Sequence, residues 1–218
     1  MSKEKKEVEM MNYSLSEELI SSISHGIGTG LAIAACVLCI IKAAHDDAWA
    51  VVSSSIFGGA LIILYLISTL YHALAKNKAK RVFRVIDHCS IFFLIAATYT
   101  PYLLVSLRGP FGWVLFGIIW GLAIIGIVFN AIDLDKYQKL SAIINVLMGW
   151  AIVVKLGALG EAIGTTGIVF LVTGGVVYTV GAVLYALGDK IKYMHSVWHF
   201  FVIGGSVCHF FSIYLSVL

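Results

Sequence analysis

Apolar residues do not alternate with polar ones along this chain. They run on in long blocks, and the charges gather in the short gaps between blocks. Seven blocks can be drawn: Ile23–Ile41, Ala48–Tyr71, Val85–Leu107, Phe111–Asn130, Leu140–Leu159, Ile163–Leu187 and His195–Val217. A helix rises 1.5 Å per residue, so each block is long enough to cross a hydrocarbon core of about 30 Å. A membrane β-strand needs only about ten residues and alternates in polarity, which these blocks do not. The pattern therefore predicts an all-α integral membrane protein built as a bundle of seven transmembrane helices. The fifth block is the least regular, because it contains Lys155 near one end, where the side chain can reach the interface.

Composition agrees with the pattern. The 218 residues are 60% hydrophobic and 12% charged, against about 25% charged in a soluble domain. Two prolines suit a chain of largely uninterrupted helix. Residues 1–20 are charged and lack a signal peptide's apolar core and small-residue cleavage site, so they are expected to be a cytoplasmic N-terminal segment ahead of a membrane domain over 21–218.

Charge sets the orientation. In a seven-span arrangement one side carries Lys3, Lys5, Lys6, Lys76, Lys78, Lys80, Arg81, Arg84, Lys136, Lys139, Lys190 and Lys192. The other carries Lys42, Arg108 and Lys155. Twelve against three places the N-terminus in the cytoplasm and the C-terminus outside. The basic run Lys76–Arg84 is expected to meet anionic headgroups, so membrane lipids and not nucleic acid are the expected partners. Protein partners cannot be read from the chain.

On this topology the intramembrane polar residues converge. Ser68 and His72 share one face at the cytoplasmic end of the second span. Asp87 and His88 open the third, His195 and His199 open the seventh, and His25 opens the first. Residues at i and i+4 lie on one helix face, so His195 and His199 can aim at one point. Ionisable residues at membrane depth are costly and usually functional. Three imidazoles suit Zn²⁺, and three protein ligands leave a fourth position for water, whose pKa zinc lowers to near 7. His195, His199 and His72 are the candidate ligands. Asp87 is the candidate partner of the water, and Ser68 a supporting hydrogen-bonding group. Asp87 and His88 are about 100° apart on a helix, so Asp87 is expected to face the bundle and His88 to turn away. His25 is read as a polar residue at the bundle's end, and His209, deep in the seventh span, as bonded to a neighbouring helix. His45 is read as a surface residue.

Other features have plain structural readings. Trp49 and Trp113 fit an interfacial aromatic belt. Trp198 is expected to face lipid or a neighbour. Cys36 and Cys39 form a C-x-x-C in mid-span, where burial argues against redox or zinc chemistry, and Cys89 and Cys208 are expected to pack as small apolar groups. The pairs Gly26-xxx-Gly30, Gly117-xxx-Gly121 and Gly160-xxx-Gly164, with Gly174-Gly175 and Gly204-Gly205, are expected to let helices approach closely.

The chain also resembles a known family. Glu17-Glu18, Ser24-His25-Gly-Ile-Gly, Ser68-Thr-Leu-Tyr-His72, Asp87-His88-Cys, Thr98-Tyr-Thr-Pro101 and His195-Ser-Val-Trp-His199 occur in the order seen in the hemolysin III family, the bacterial branch of the progestin and adipoQ receptor (PAQR) superfamily. Ser21 stands where family members often carry Asn. The resemblance implies a multi-pass protein of the bacterial plasma (inner) membrane acting in membrane homeostasis. It implies zinc on His72, His195 and His199, with Asp87 at the water and Ser68 beside it, and it associates the pattern with lipid amide hydrolysis. Three functions follow as expectations: a zinc-dependent hydrolase of a lipid amide or ester, a non-catalytic sensor of membrane order with structural zinc, and a pore-forming hemolysin causing cytolysis.

Overall fold

A computed structural model describes residues 13–188 and 190–218, all of them helix or the short turns between helices. Lys3, Lys5 and Lys6, used in the charge count, lie outside the described residues. The helices are α1 (Leu15–Ala43), α2 (Ala48–Ala73), α3 (Lys78–Pro101), α4 (Pro110–Trp150), α5 (Leu156–Leu187) and α6 (Met194–Ser216). A π-helical turn, Tyr102–Ser106, follows α3, and a 3₁₀ turn, Ala151–Lys155, joins α4 to α5. Among the described residues, five helical stretches are long and apolar enough to cross a membrane, one of them the whole of Pro110–Leu187.

Local chemistry explains most boundaries. Ser14 caps α1 in a capping box with Glu17, so the helix starts about two turns before the apolar block at Ile23. Asp47 caps α2 and Asn77 caps α3 by accepting from Ala50 and Lys80 backbone N–H groups at 3.0 and 2.9 Å. Pro101 cannot donate to the helix ladder, and the π turn beginning at Tyr102 takes up the change, closed by Leu107 N–H to Tyr102 C=O at 2.8 Å.

The fourth, fifth and sixth apolar blocks differ from expectation in form. They lie in one helical stretch that breaks without an extended loop. The first break is Asp133 (φ −158°, ψ 89°), whose carboxylate accepts from Lys136 N–H at 3.1 Å and so starts the next segment. The second is the 3₁₀ turn, inside the block read as Leu140–Leu159. The third is Gly164, whose φ of +67° needs a residue without Cβ.

The helices close into a bundle: α1 packs on α2 and α6, α2 on α3, α3 on α4, and α5 on α6. On the lipid-facing surface, large apolar residues such as Leu31, Val37, Ile125, Val154 and Val183 are exposed, as a bilayer requires. Trp49 meets Trp113 edge-on at 5.2 Å. The glycines that let helices approach are mostly not those of the spaced pairs. Gly30, Gly117 and Gly121 have open space where a Cβ would stand, and Gly26 has only Thr69 nearby. The tight helix-to-helix positions include Gly28, Gly58, Gly126, Gly167 and Gly181, with Gly174 and Gly205 from the two adjacent pairs. Spacing alone does not say which face a glycine occupies. At Gly58 an added Cβ would lie 2.8 Å from the Cα of Cys36. Backbone cannot yield as a side-chain tip can, so Gly58→Ala should destabilise the α1–α2 pair by about 1–3 kcal/mol, read as a fall in Tm in detergent. Cys36, Cys39, Cys89 and Cys208 are all free thiols.

Candidate metal centre

The polar residues from α1, α2, α3 and α6 meet at one end of the bundle. The α6 ladder sets His195 and His199 one turn apart. Their Nε2 atoms are 3.2 Å apart, and His195 Nε2 lies 3.4 Å from His72 Nε2 on α2. One ligand atom from each of the three lies within 4.8 Å of the others, and all three residues are buried, so the group could hold a metal ion.

The three Nε2 atoms converge on one point. His72 Nδ1 faces a Glu18 carboxylate oxygen at 2.7 Å, which makes it the protonated nitrogen and leaves Nε2 as a lone pair aimed at the other rings. His195 Nε2 can carry one proton at most, yet it has two nitrogen neighbours. A tetrahedral ion held by imidazoles at 2.0–2.1 Å has nitrogen–nitrogen edges of about 3.3 Å, which the two short spacings match.

The supporting contacts come from all sides. Glu18 spans two partners: one oxygen takes His72 Nδ1–H, and the other takes the buried Lys80 ammonium at 2.7 Å. Carboxylate behind a ligating histidine is the usual way such a ring is oriented. His195 stacks on Tyr13 (centroids 4.6 Å, planes 26° apart), and His25 packs on His199 at 3.9 Å. The start of α6 is tied to α1: Tyr193 N–H donates to Glu17 at 2.8 Å, Ser196 donates to Glu17 C=O at 3.2 Å, and the Ser196 and Ser21 hydroxyls are 3.2 Å apart. Tyr193 has φ +67°, a strained value for a residue with a side chain, held immediately before the His195–His199 turn.

A cavity of about 170 Å³ opens beside the histidines. Ser68, Asp87, His88, His195, His199 and His25 line this end of it. Ser68 on α2 and Asp87 on α3 line it together. Asp87 is not among the three closely grouped ligand atoms and stands at the cavity wall. His88 does not turn away as expected. It lines the same cavity, its ring 6.0 Å from that of Tyr185, because the space is wide enough for adjacent positions on α3 to border it. Trp198 meets the neighbouring helix α5, as expected, against Tyr185 and Gly181. The cavity continues along α3 from Asp87 to Tyr102, about 22 Å at 1.5 Å per residue. Most of that length is walled by apolar side chains such as Leu94, Ile95, Ile152 and Leu171.

Sequence comparison accords with this architecture. The family model described as haemolysin-III related matches residues 13–210. The chain belongs to the haemolysin-III related family. It is 41% identical over 209 residues to "Hemolysin-3" of Bacillus cereus, covering 95% of each chain. It is 41% identical over 202 residues to "Hemolysin-3 homolog" of Bacillus subtilis (strain 168), covering 92% of this chain and 94% of the relative. A human protein, "Monocyte to macrophage differentiation factor", is 27% identical over 176 residues, covering 78% and 72%. That likeness beyond bacteria fits the wider PAQR superfamily. Family and apolar helices together make this a multi-pass membrane protein.

Spacing alone leaves open whether Glu17, Glu18 and His25 join the centre. Glu18 does so through His72, Glu17 supports the α6 start, and His25 stacks on His199. Tyr13 and Lys80 carry no site role in the sequence pattern. The available signal is the doubled acid after Ser14, since the capping box engages Glu17 and leaves Glu18 free to face α2.

Proposed function

We propose that His72, His195 and His199 hold a zinc ion and that the protein hydrolyses a lipid amide or ester in the service of membrane lipid homeostasis. The observation that carries the reading is a buried nitrogen triad, two of whose histidines line the end of a long, mostly apolar cavity, with a carboxylate outside the triad on the same wall. When bound, zinc supplies a Lewis acid that polarises a carbonyl and makes water acidic enough to act near neutral pH. Glu18 keeps the His72 proton on Nδ1, so that Nε2 stays available as a ligand. Asp87, steadied by Ser68, is the general base that accepts a proton from the attacking water and returns it to the leaving group. The apolar walls take the acyl chain and exclude water from it.

The topology of this reading has seven crossings, with the N-terminus in the cytoplasm and the C-terminus outside a bacterial plasma (inner) membrane. The breaks at Asp133 and Gly164 support it by dividing Pro110–Leu187 into three lengths, each sufficient to cross. The twelve-to-three distribution of basic residues supports the orientation.

The test is direct. Zinc-loaded protein in liposomes is offered a panel of N-acyl and O-acyl lipids, and released fatty acid is measured by mass spectrometry. Release that depends on the histidines and on Asp87 supports the reading. A folded, zinc-loaded protein inert on the whole panel contradicts catalysis and favours a membrane-order sensor with structural zinc. A haemolytic role, which the Bacillus relative's name carries, would need a continuous polar path across the bilayer, and the mostly apolar lining beyond Asp87 disfavours one. Glu18→Ala should weaken zinc binding about 10- to 100-fold, measured by competition with a chelator, because the His72 ring loses its anchor and its fixed tautomer.

A further inference from the structure

His195 and His199 of the triad line one end of the cavity, and further along it stands a polar group that hydrolysis does not use. His209 lies ten residues beyond His199 on α6, about 15 Å further along the helix. Its ring stacks on Tyr178 of α5, with centroids 5.4 Å and planes 19° apart, and both residues line the cavity. His209 is 7% exposed, and its Nδ1 is buried without a hydrogen-bond partner among the described residues. The expected hydrogen bond to a neighbouring helix is absent there, and the ring meets that helix by stacking instead. Tyr178 is engaged elsewhere. Its hydroxyl lies 2.7 Å from Ser206 Oγ, which also receives the Tyr65 hydroxyl at 2.7 Å. Gly174 brings α5 so close that a Cβ there would stand 2.8 Å from His209 Nε2. The imidazole is thus held in place with Nδ1 enclosed and Nε2, without a hydrogen bond among the described residues, as the nitrogen open to the cavity. An unpaired buried polar group is costly, and ionisable residues at membrane depth are rare without a role.

We propose that His209 recognises an oxygen substituent, a hydroxyl above all, part-way along the acyl chain of the lipid that this cavity takes. The inference rests on the hydrolytic reading, since it places the cleaved bond at the triad and runs the chain alongside α6. A hydroxyl both donates and accepts, so it satisfies either tautomer of the imidazole. A plain methylene chain leaves the ring unpaired. A site built to hydrogen-bond a substrate group discriminates against the analogue lacking it far better than an apolar pocket discriminates by size.

Oleic and ricinoleic acids differ by one mid-chain hydroxyl, and each stands for the acid released from a lipid. Their binding to the purified full-length protein is measured by displacement of a fluorescent fatty acid. Wild type should bind ricinoleate about tenfold more tightly, the worth of one hydrogen bond at the upper end of its usual range. His209→Phe keeps a ring on Tyr178 and should lose the preference, and His209→Gln should keep much of it. His209→Leu replaces the phenylalanine variant where that one does not fold. Equal binding of the two acids by wild type overturns the subsite and leaves the acyl-lipid reading standing. A preference that survives in His209→Phe overturns the assignment to His209. Binding of neither acid, by protein with a normal melting transition, overturns both readings.

Discussion

Asp87→Asn protein should fold, keep its zinc and lose nearly all hydrolytic activity. The substituted carboxamide has almost the same shape as the carboxylate, so the packing of α2 against α3 should survive. What it lacks is a lone pair basic enough to take a proton. General-base catalysis contributes typically a hundred- to ten-thousand-fold, and kcat should fall by about that factor with zinc per protomer unchanged. Asp87 lies outside the close nitrogen group, which is why metal content should not follow activity. Were Asp87 a ligand instead, the variant would lose zinc and activity together. Were zinc purely structural, the variant would be mild in every assay.

His199→Ala should behave in the opposite way. It removes one of three nitrogens, and the remaining pair, His72 and His195, cannot enclose the ion. Zinc bound only to the folded form at a thousand times its Kd adds about 4 kcal/mol of stability, and that increment should vanish. Wild-type protein should therefore melt at a markedly lower temperature after chelation, while His199→Ala should melt at one temperature with or without chelator. The variant also opens a hole beneath His25, so its melting point should lie somewhat below that of chelated wild type. A wild-type melting point indifferent to chelation would contradict the linkage.

Much of this is legible in the chain because the bilayer makes the pattern simple. Long apolar blocks must be helices, since no water is present to satisfy an open backbone. The blocks at Ala48–Tyr71 and His195–Val217 lie within a few residues of α2 and α6. Less legible is how the later blocks join. Asp133 and Gly164 break the Pro110–Leu187 stretch within single residues; the polar gaps after Asn130 and Leu159 announce that the blocks part, but not that they part without an extended loop. The i, i+4 histidines can be paired by helix geometry alone. That His72 meets them depends on topology, which the basic residues supply. Glu18 cannot be placed from spacing, because 54 residues separate it from His72 and only the packing of α1 on α2 brings them together. His88 departs from expectation for a related reason: a helix wheel assigns faces, but it does not know the width of the cavity.

The measurement that bears most directly on the account is the metal content of detergent-purified protein, by elemental analysis, for wild type and His195→Ala/His199→Ala. The account predicts about one zinc per wild-type protomer and none in the double variant. Folded wild-type protein that holds no zinc, even after zinc is added back, would contradict it and leave His72, His195 and His199 as a polar network that packs α2 against α6.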